Sequence, residues 1–240
     1  MTRSSGAARW GAVCAITAGI AFLVPLTFYF YFLPAAGSSA THAQDPASFL
    51  PWMAEQGTVR TALWWTTCFP FLVALLGVPS ALKKVLKSPS PTAATTAELA
   101  GILGLFTLLL ACLMLAAGEM PLAQAYVAAN EGARPAFVAV YEWQRLVTAL
   151  LFDAFGFFLL GVWVLVSSVA GSRSGVLPRG LGWFGIITSL TAFSFALGYA
   201  TGIRWLGELG IGALAFVALP VWMIWLGVVL WRSGGAADEA

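Results

Sequence analysis

The sequence predicts an all-α protein, a polytopic transmembrane bundle of six spans with both termini cytoplasmic. Three observations carry that expectation. Hydrophobic residues make up 60% of the 240-residue chain and charged ones only 9%, with a mean hydropathy of +0.88, whereas soluble domains carry about 25% charged residues. The apolar residues gather into six runs, at about residues 10–33, 61–82, 99–117, 146–170, 181–203 and 209–231. At about 1.5 Å of rise per residue, each run is long enough to cross a hydrocarbon core of about 30 Å. Every charged residue except Asp153 lies outside these runs, the segregation a bilayer imposes by making a buried charge expensive. Helices satisfy their own backbone groups in lipid, and no alternation of the barrel type is visible.

The first run follows Arg3 and Arg9 and precedes the small residues Ser38, Ser39 and Ala40, as a secretory signal would. Its length exceeds an apolar signal region of about 7–15 residues, so it is read as a retained span. The chain is then one integral-membrane domain over 1–240, with two long outer loops, 34–60 and 118–145. In the first loop, Asp45 and Pro46 form an N-cap and first-turn pair, and PASFLPWMAEQ up to Gly57 predicts a short helix, with Phe49, Leu50, Trp52 and Met53 facing lipid or the bundle. In the second, Pro121 and Pro135 each read as a helix start, and the latter helix is expected to run straight into the fourth span. The stretch KKVLKSPSPT and the tail SGGAADEA read as exposed linker and frayed end. Gly198 and Gly202 form a GxxxG pair beside a seam of Thr188, Thr191 and Ser194, the composition of a close helix contact.

Basic residues set the orientation. With the N-terminus inside, Arg3, Arg9, Lys83, Lys84, Lys87, Arg173, Arg179 and Arg232 fall on the cytoplasmic side, leaving Arg60, Arg134, Arg145 and Arg204 outside. Asp45, Glu55, Glu119, Glu131, Glu142 and Glu208 then also lie outside.

Several chemistries are excluded. No lysine lies in a span, which removes a retinal Schiff base, and the lone histidine, His42, lies in an outer loop, which removes bis-histidine haem and HExxH zinc sites. No metal and no cofactor is expected, and a net charge of +2 gives no nucleic-acid footprint. Cys14, Cys68 and Cys112 fall one in each of the first three spans and read as small buried residues rather than a disulfide framework.

The stretch YEWQRLVTALLFDAFG is the richest in chemistry. At about 100° per residue, Glu142, Arg145 and Asp153 share one helical face, with Asp153 about two turns deeper than the interface. Glu119, Arg204 and Glu208 fall at the same membrane level, with Trp64, Trp65, Trp143 and Trp205 in the same layer. One reading is an interface belt in which Glu142 pairs with Arg145 and Arg204 with Glu208. The other is a site, with Asp153, Glu142 and Glu119 as acid–base candidates and Arg145, Trp64, Trp65, Trp143, Arg204 and Glu208 as binding residues.

The C-terminal half adds a resemblance. A span carrying Asp153 and Gly161, then GVLPRGLGWFGIITSL with its Leu177, Pro178, Arg179, Leu181 and Gly182, then ALPVWMIWLGVVLWRSG, resembles the bacterial integral-membrane family called domain of unknown function 4386. The N-terminal half resembles it in its long first outer loop and in Arg60 at the opening of the second span. The resemblance implies a multi-span bundle in a bacterial cytoplasmic (inner) membrane, and carries neither activity nor catalytic residues.

Three functions follow as expectations. The first is binding of a lipophilic, quinone-like ligand or service as an accessory subunit, with membrane lipids, a membrane-protein partner or a second copy of the chain as partners. The second is an intramembrane enzyme using carboxylates to cyclise or isomerise an isoprenoid-like substrate. The third is a small proton-coupled transporter.

Overall fold

The computed structural model describes residues 3–38, 44–210 and 216–236. All regular structure among these residues is helical, with no strand. Five helices are long and apolar enough to cross a membrane: α1 (Gly6–Ala35), α3 (Thr58–Leu86), α4 (Pro91–Ala128), α5 (Arg134–Arg173) and α6 (Arg179–Thr201). Between them lie α2 (Pro46–Gln56) and the short α7 (Arg204–Leu209), and α8 (Phe216–Ala236) closes the chain with a shorter apolar segment, Val217–Ser233. His42 and residues 211–215 of the sixth apolar run lie outside the described residues.

Local chemistry sets most helix ends. Pro91 and Pro135 stand in the first turns of α4 and α5, where a missing N–H costs nothing. Pro178 precedes α6, and Gly202 ends it in the left-handed region at φ +70°. Gly202 is therefore a helix stop and not the second half of a packing pair. Gly198 alone makes the close approach, with the backbone of Gly207 in α7 against it, while Ser194 Oγ donates to the Leu206 carbonyl at 3.0 Å.

Asp45 caps α2 as its sequence predicts, its Oδ1 accepting from the Ala47 N–H at 3.2 Å. Asp45→Ala should cost about 1 kcal/mol, read as a small fall in the thermal midpoint in detergent. No change would mean that packing alone holds α2. That packing is with the bundle: Phe49, Leu50 and Met53 are fully buried in a satellite core with Ala123 and Tyr126 of α4 and Tyr141 of α5. The main core crosses all the long helices and centres on Trp163 of α5 and Trp222 of α8, edge to face at 5.6 Å between centroids.

Two expectations for the connections are corrected. Pro121 does not start a helix. It lies inside the continuous α4 with its ring on the exposed side, where it disturbs no core contact. The stretch 83–92 is linker only over 87–90, because α3 continues to Leu86 and Lys83 ion-pairs with Glu98 of α4. The helix beginning at Arg134 does run unbroken into the fourth span.

Three of the long helices widen into π turns: α1 at Phe28–Phe32, α3 at Thr67–Leu72 and α5 at Leu150–Gly156. In α3 the cause is local, since Pro70 sits inside the segment and donates no backbone hydrogen bond. In α5 there is no proline. There Gly156 packs against α4, and a Cβ added to it would fall 2.6 Å from Leu108 Cδ2.

Candidate functional site

All three π segments border one cavity of about 280 Å³, contributing Tyr29 from α1, Thr67, Phe71 and Leu72 from α3, and Phe152 and Asp153 from α5. π turns recur at functional sites because they break the regular register and re-aim side chains. Leu108 and Leu115 of α4 and Leu219 of α8 complete the apolar wall.

An ion pair forms part of the cavity wall. Arg60 Nε and Nη2 donate to Glu119 Oε2 and Oε1 at 2.7 and 2.8 Å, and Trp64 Nε1 donates to Oε2 at 3.2 Å. One turn of α3 places Arg60 and Trp64 on the same face, and α4 brings Glu119 to meet them. The Arg60 guanidinium also lies 5.0 Å from the Phe49 ring and 5.4 Å from the Trp64 ring, which ties α2 to the same point. The Glu119 side chain is 2% exposed and accepts on both oxygens. A bidentate pair with a third donor satisfies a buried carboxylate as fully as a protein can.

The α5 wall is polar at intervals. Gln144 Nε2 donates to the Met114 carbonyl of α4 at 3.0 Å, and Thr148 Oγ1 donates to the Gln144 carbonyl at 2.9 Å. Arg145 stands at an exposed position on the cavity rim, and Asp153 lies about two turns deeper. The side chain of neither makes a hydrogen bond or ion pair to another described residue. The pairing of Glu142 with Arg145 expected from their spacing is not made. Glu142 and Trp143 are exposed and lie outside the cavity lining. The π segment closes each turn with one residue more than an α turn, so a uniform 100° projection misplaces Asp153 relative to both Glu142 and Arg145.

Of the other sequence candidates, Trp65 is 40% exposed and stacked on Phe69 at 5.4 Å, away from the cavity, and Glu208 lies on α7 and does not line it. The side chain of Arg204 lies outside the described set, so its pairing with Glu208 does too. Sequence reasoning missed Arg60, Tyr141, Gln144, Phe22, Tyr29 and Phe71 as lining groups. A usable signal was present in Arg60 and Trp64, a cation and an aromatic four residues apart at the level of Glu119. Cys14, Cys68 and Cys112 are buried free thiols, and no cluster of three or more His, Cys, Asp or Glu among the described residues could hold a metal.

Long apolar helices around an aromatic-walled cavity lined by few charges define a polytopic α-helical membrane protein. The chain belongs to the family described as domain of unknown function DUF4386, whose model matches residues 17–231. No curated protein and no solved structure matches it.

Proposed function

We propose that this chain is a six-span protein of the bacterial cytoplasmic membrane, with both termini inside, that binds a lipophilic small molecule in the cavity of α1, α3, α4 and α5. It does so in its own right or as the ligand-holding subunit of a membrane complex. The observation that carries the reading is the cavity itself, a space of about 280 Å³ with mainly apolar lining. Binding pockets for small molecules have this character, an apolar body with a few placed polar groups. The apolar α8 and the run preceding it supply the sixth crossing, and the bias of basic residues toward the loops 83–90 and 171–180 supports the orientation.

The topology can be checked in cells with all three native cysteines replaced. A cysteine placed at exposed Glu131 should react with an impermeant maleimide from outside, and one at exposed Ser88 only after lysis. The opposite pattern would invert the orientation. The cavity can be blocked by Ala149→Trp, which adds an indole to the lining from a buried position. Native mass spectrometry of full-length protein in mild detergent should detect a retained lipophilic molecule on the unmodified chain and none on the variant. Equal retention by both would remove the cavity as the binding site.

A second reading has one observation in its favour. Asp153, a carboxyl with no partner among the described residues in an aromatic-lined space, is placed as a proton donor to an isoprenoid-like chain would be. In that reading Asp153→Asn abolishes turnover. Glu119 is committed to Arg60, so Asp153 would act without a second acid in the cavity.

A further inference from the structure

Four charged side chains line the cavity, and they are not equivalent. Arg60 and Glu119 neutralise one another through two hydrogen bonds. Arg145 is at an exposed rim position, where water solvates it and an ion pair adds little. Asp153 remains, partly buried below the rim with no hydrogen-bonding or ionic partner among the described residues. A carboxylate at hydrocarbon depth needs a partner, and the fold supplies none.

The surroundings of Asp153 indicate what that partner is. Phe152 and Phe157 meet edge to face at 5.4 Å, Trp64 reaches Phe152 at 6.2 Å, and across the cavity Phe22 packs on Phe71 at 4.6 Å. All five rings line the space. Aromatic rings and a carboxylate lining one cavity form a recognition surface for an organic cation, above all an alkylated ammonium with no strong hydrogen-bond donors to satisfy. An anionic headgroup would meet Asp153 as a like charge, and a neutral chain would leave it unpaired.

We propose that the ligand is a cationic amphiphile, an alkylammonium whose nitrogen sits beside Asp153 among these rings while its hydrocarbon chain fills the apolar remainder. This rests on the lipophilic-ligand reading above and adds the charge of the headgroup to it.

The test uses full-length protein in a neutral maltoside detergent and three probes of equal chain length: dodecyltrimethylammonium, dodecanol and dodecyl sulfate. Binding is measured by equilibrium dialysis and checked by native mass spectrometry. The unmodified chain should bind the ammonium about tenfold or more tightly than the alcohol, the scale of a desolvated cation–aromatic contact, and the sulfate most weakly. Asp153→Asn should collapse the ammonium-to-alcohol ratio toward one, and Asp153→Glu, which keeps the charge, should preserve a preference. An ammonium bound no better than the alcohol overturns the proposal, as does a preference that survives Asp153→Asn. A preference for the sulfate overturns it in favour of Arg145 as the headgroup partner. Each of these outcomes leaves the lipophilic-ligand reading standing. That reading fails separately if the unmodified chain retains none of the three probes, or if Ala149→Trp retains them equally well.

Discussion

Replacing Glu119 with leucine should destabilise the fold by about 3–5 kcal/mol, the cost of leaving a buried partner charge uncompensated. The stranded group is Arg60, whose side chain is 15% exposed and is held between the rings of Phe49 and Trp64. Trp64 loses its acceptor at the same time. The measurement is the unfolding midpoint of the full chain in detergent, set against Arg60→Met and the double variant Arg60→Met/Glu119→Leu. The double variant should recover most of the loss of either single change, because an apolar pair of similar volume removes both desolvation costs together. Losses that simply add would mean that the two residues act independently. Limited proteolysis near α2 gives a second readout, since α2 is tied to the pair through Phe49, and cleavage there should accelerate in both single variants.

Gly104→Val should strongly destabilise the packing of α4 on α5. A Cβ there would lie 3.0 Å from Leu159 Cβ, 3.1 Å from the Leu160 amide nitrogen and 3.2 Å from the Gly156 carbonyl oxygen. Two of these three are backbone atoms of α5, so no rotamer change relieves the crowding and the two helices must part. Overpacking costs about 1–3 kcal/mol where side chains can adjust, and more where they cannot. The separation would also open the cavity wall between Leu108 and Phe157, so loss of any retained ligand should accompany the fall in midpoint. Gly104→Ala should show the same direction at smaller size. A valine variant as stable as the parent would mean that α4 and α5 do not depend on this contact.

The sequence made the helical crossings legible because hydropathy is a local property. Whether a run of residues prefers lipid depends on its own composition; the first four long helices enclose the runs read for them, and the fifth covers its run up to Thr201. The ends of α2 were legible for a similar reason, since Asp45, Pro46 and Gly57 act within one turn of themselves. The family, too, was visible in stretches such as the one from Leu177 to Gly182, and the match over residues 17–231 bears it out.

The site was legible only in part. Glu119, Trp64, Arg145 and Asp153 line the cavity, whereas Glu142, Trp143 and Trp65 face away from it. Helical projection could not separate these groups, because it gives relative angles around one helix and not which side its neighbours cover; the π turn of α5 further shifts Asp153 against Arg145. Nor could spacing find the partner of Glu119, which is 59 residues away in sequence. It paired Glu142 with Arg145 on the same helix instead, and those two do not meet.

The sequence by itself therefore determined the helical class and the positions of the long apolar helices, because these follow from transfer free energies summed over neighbouring residues. Tertiary structure decided which charges are neutralised and which look into the cavity. Arg60 and Glu119 become one structural unit only when α3 packs on α4. Asp153 lines the cavity from a widened turn of α5, as an acid without an ionic partner among the described residues, and which face the neighbouring helices leave open depends on contacts that no local pattern encodes.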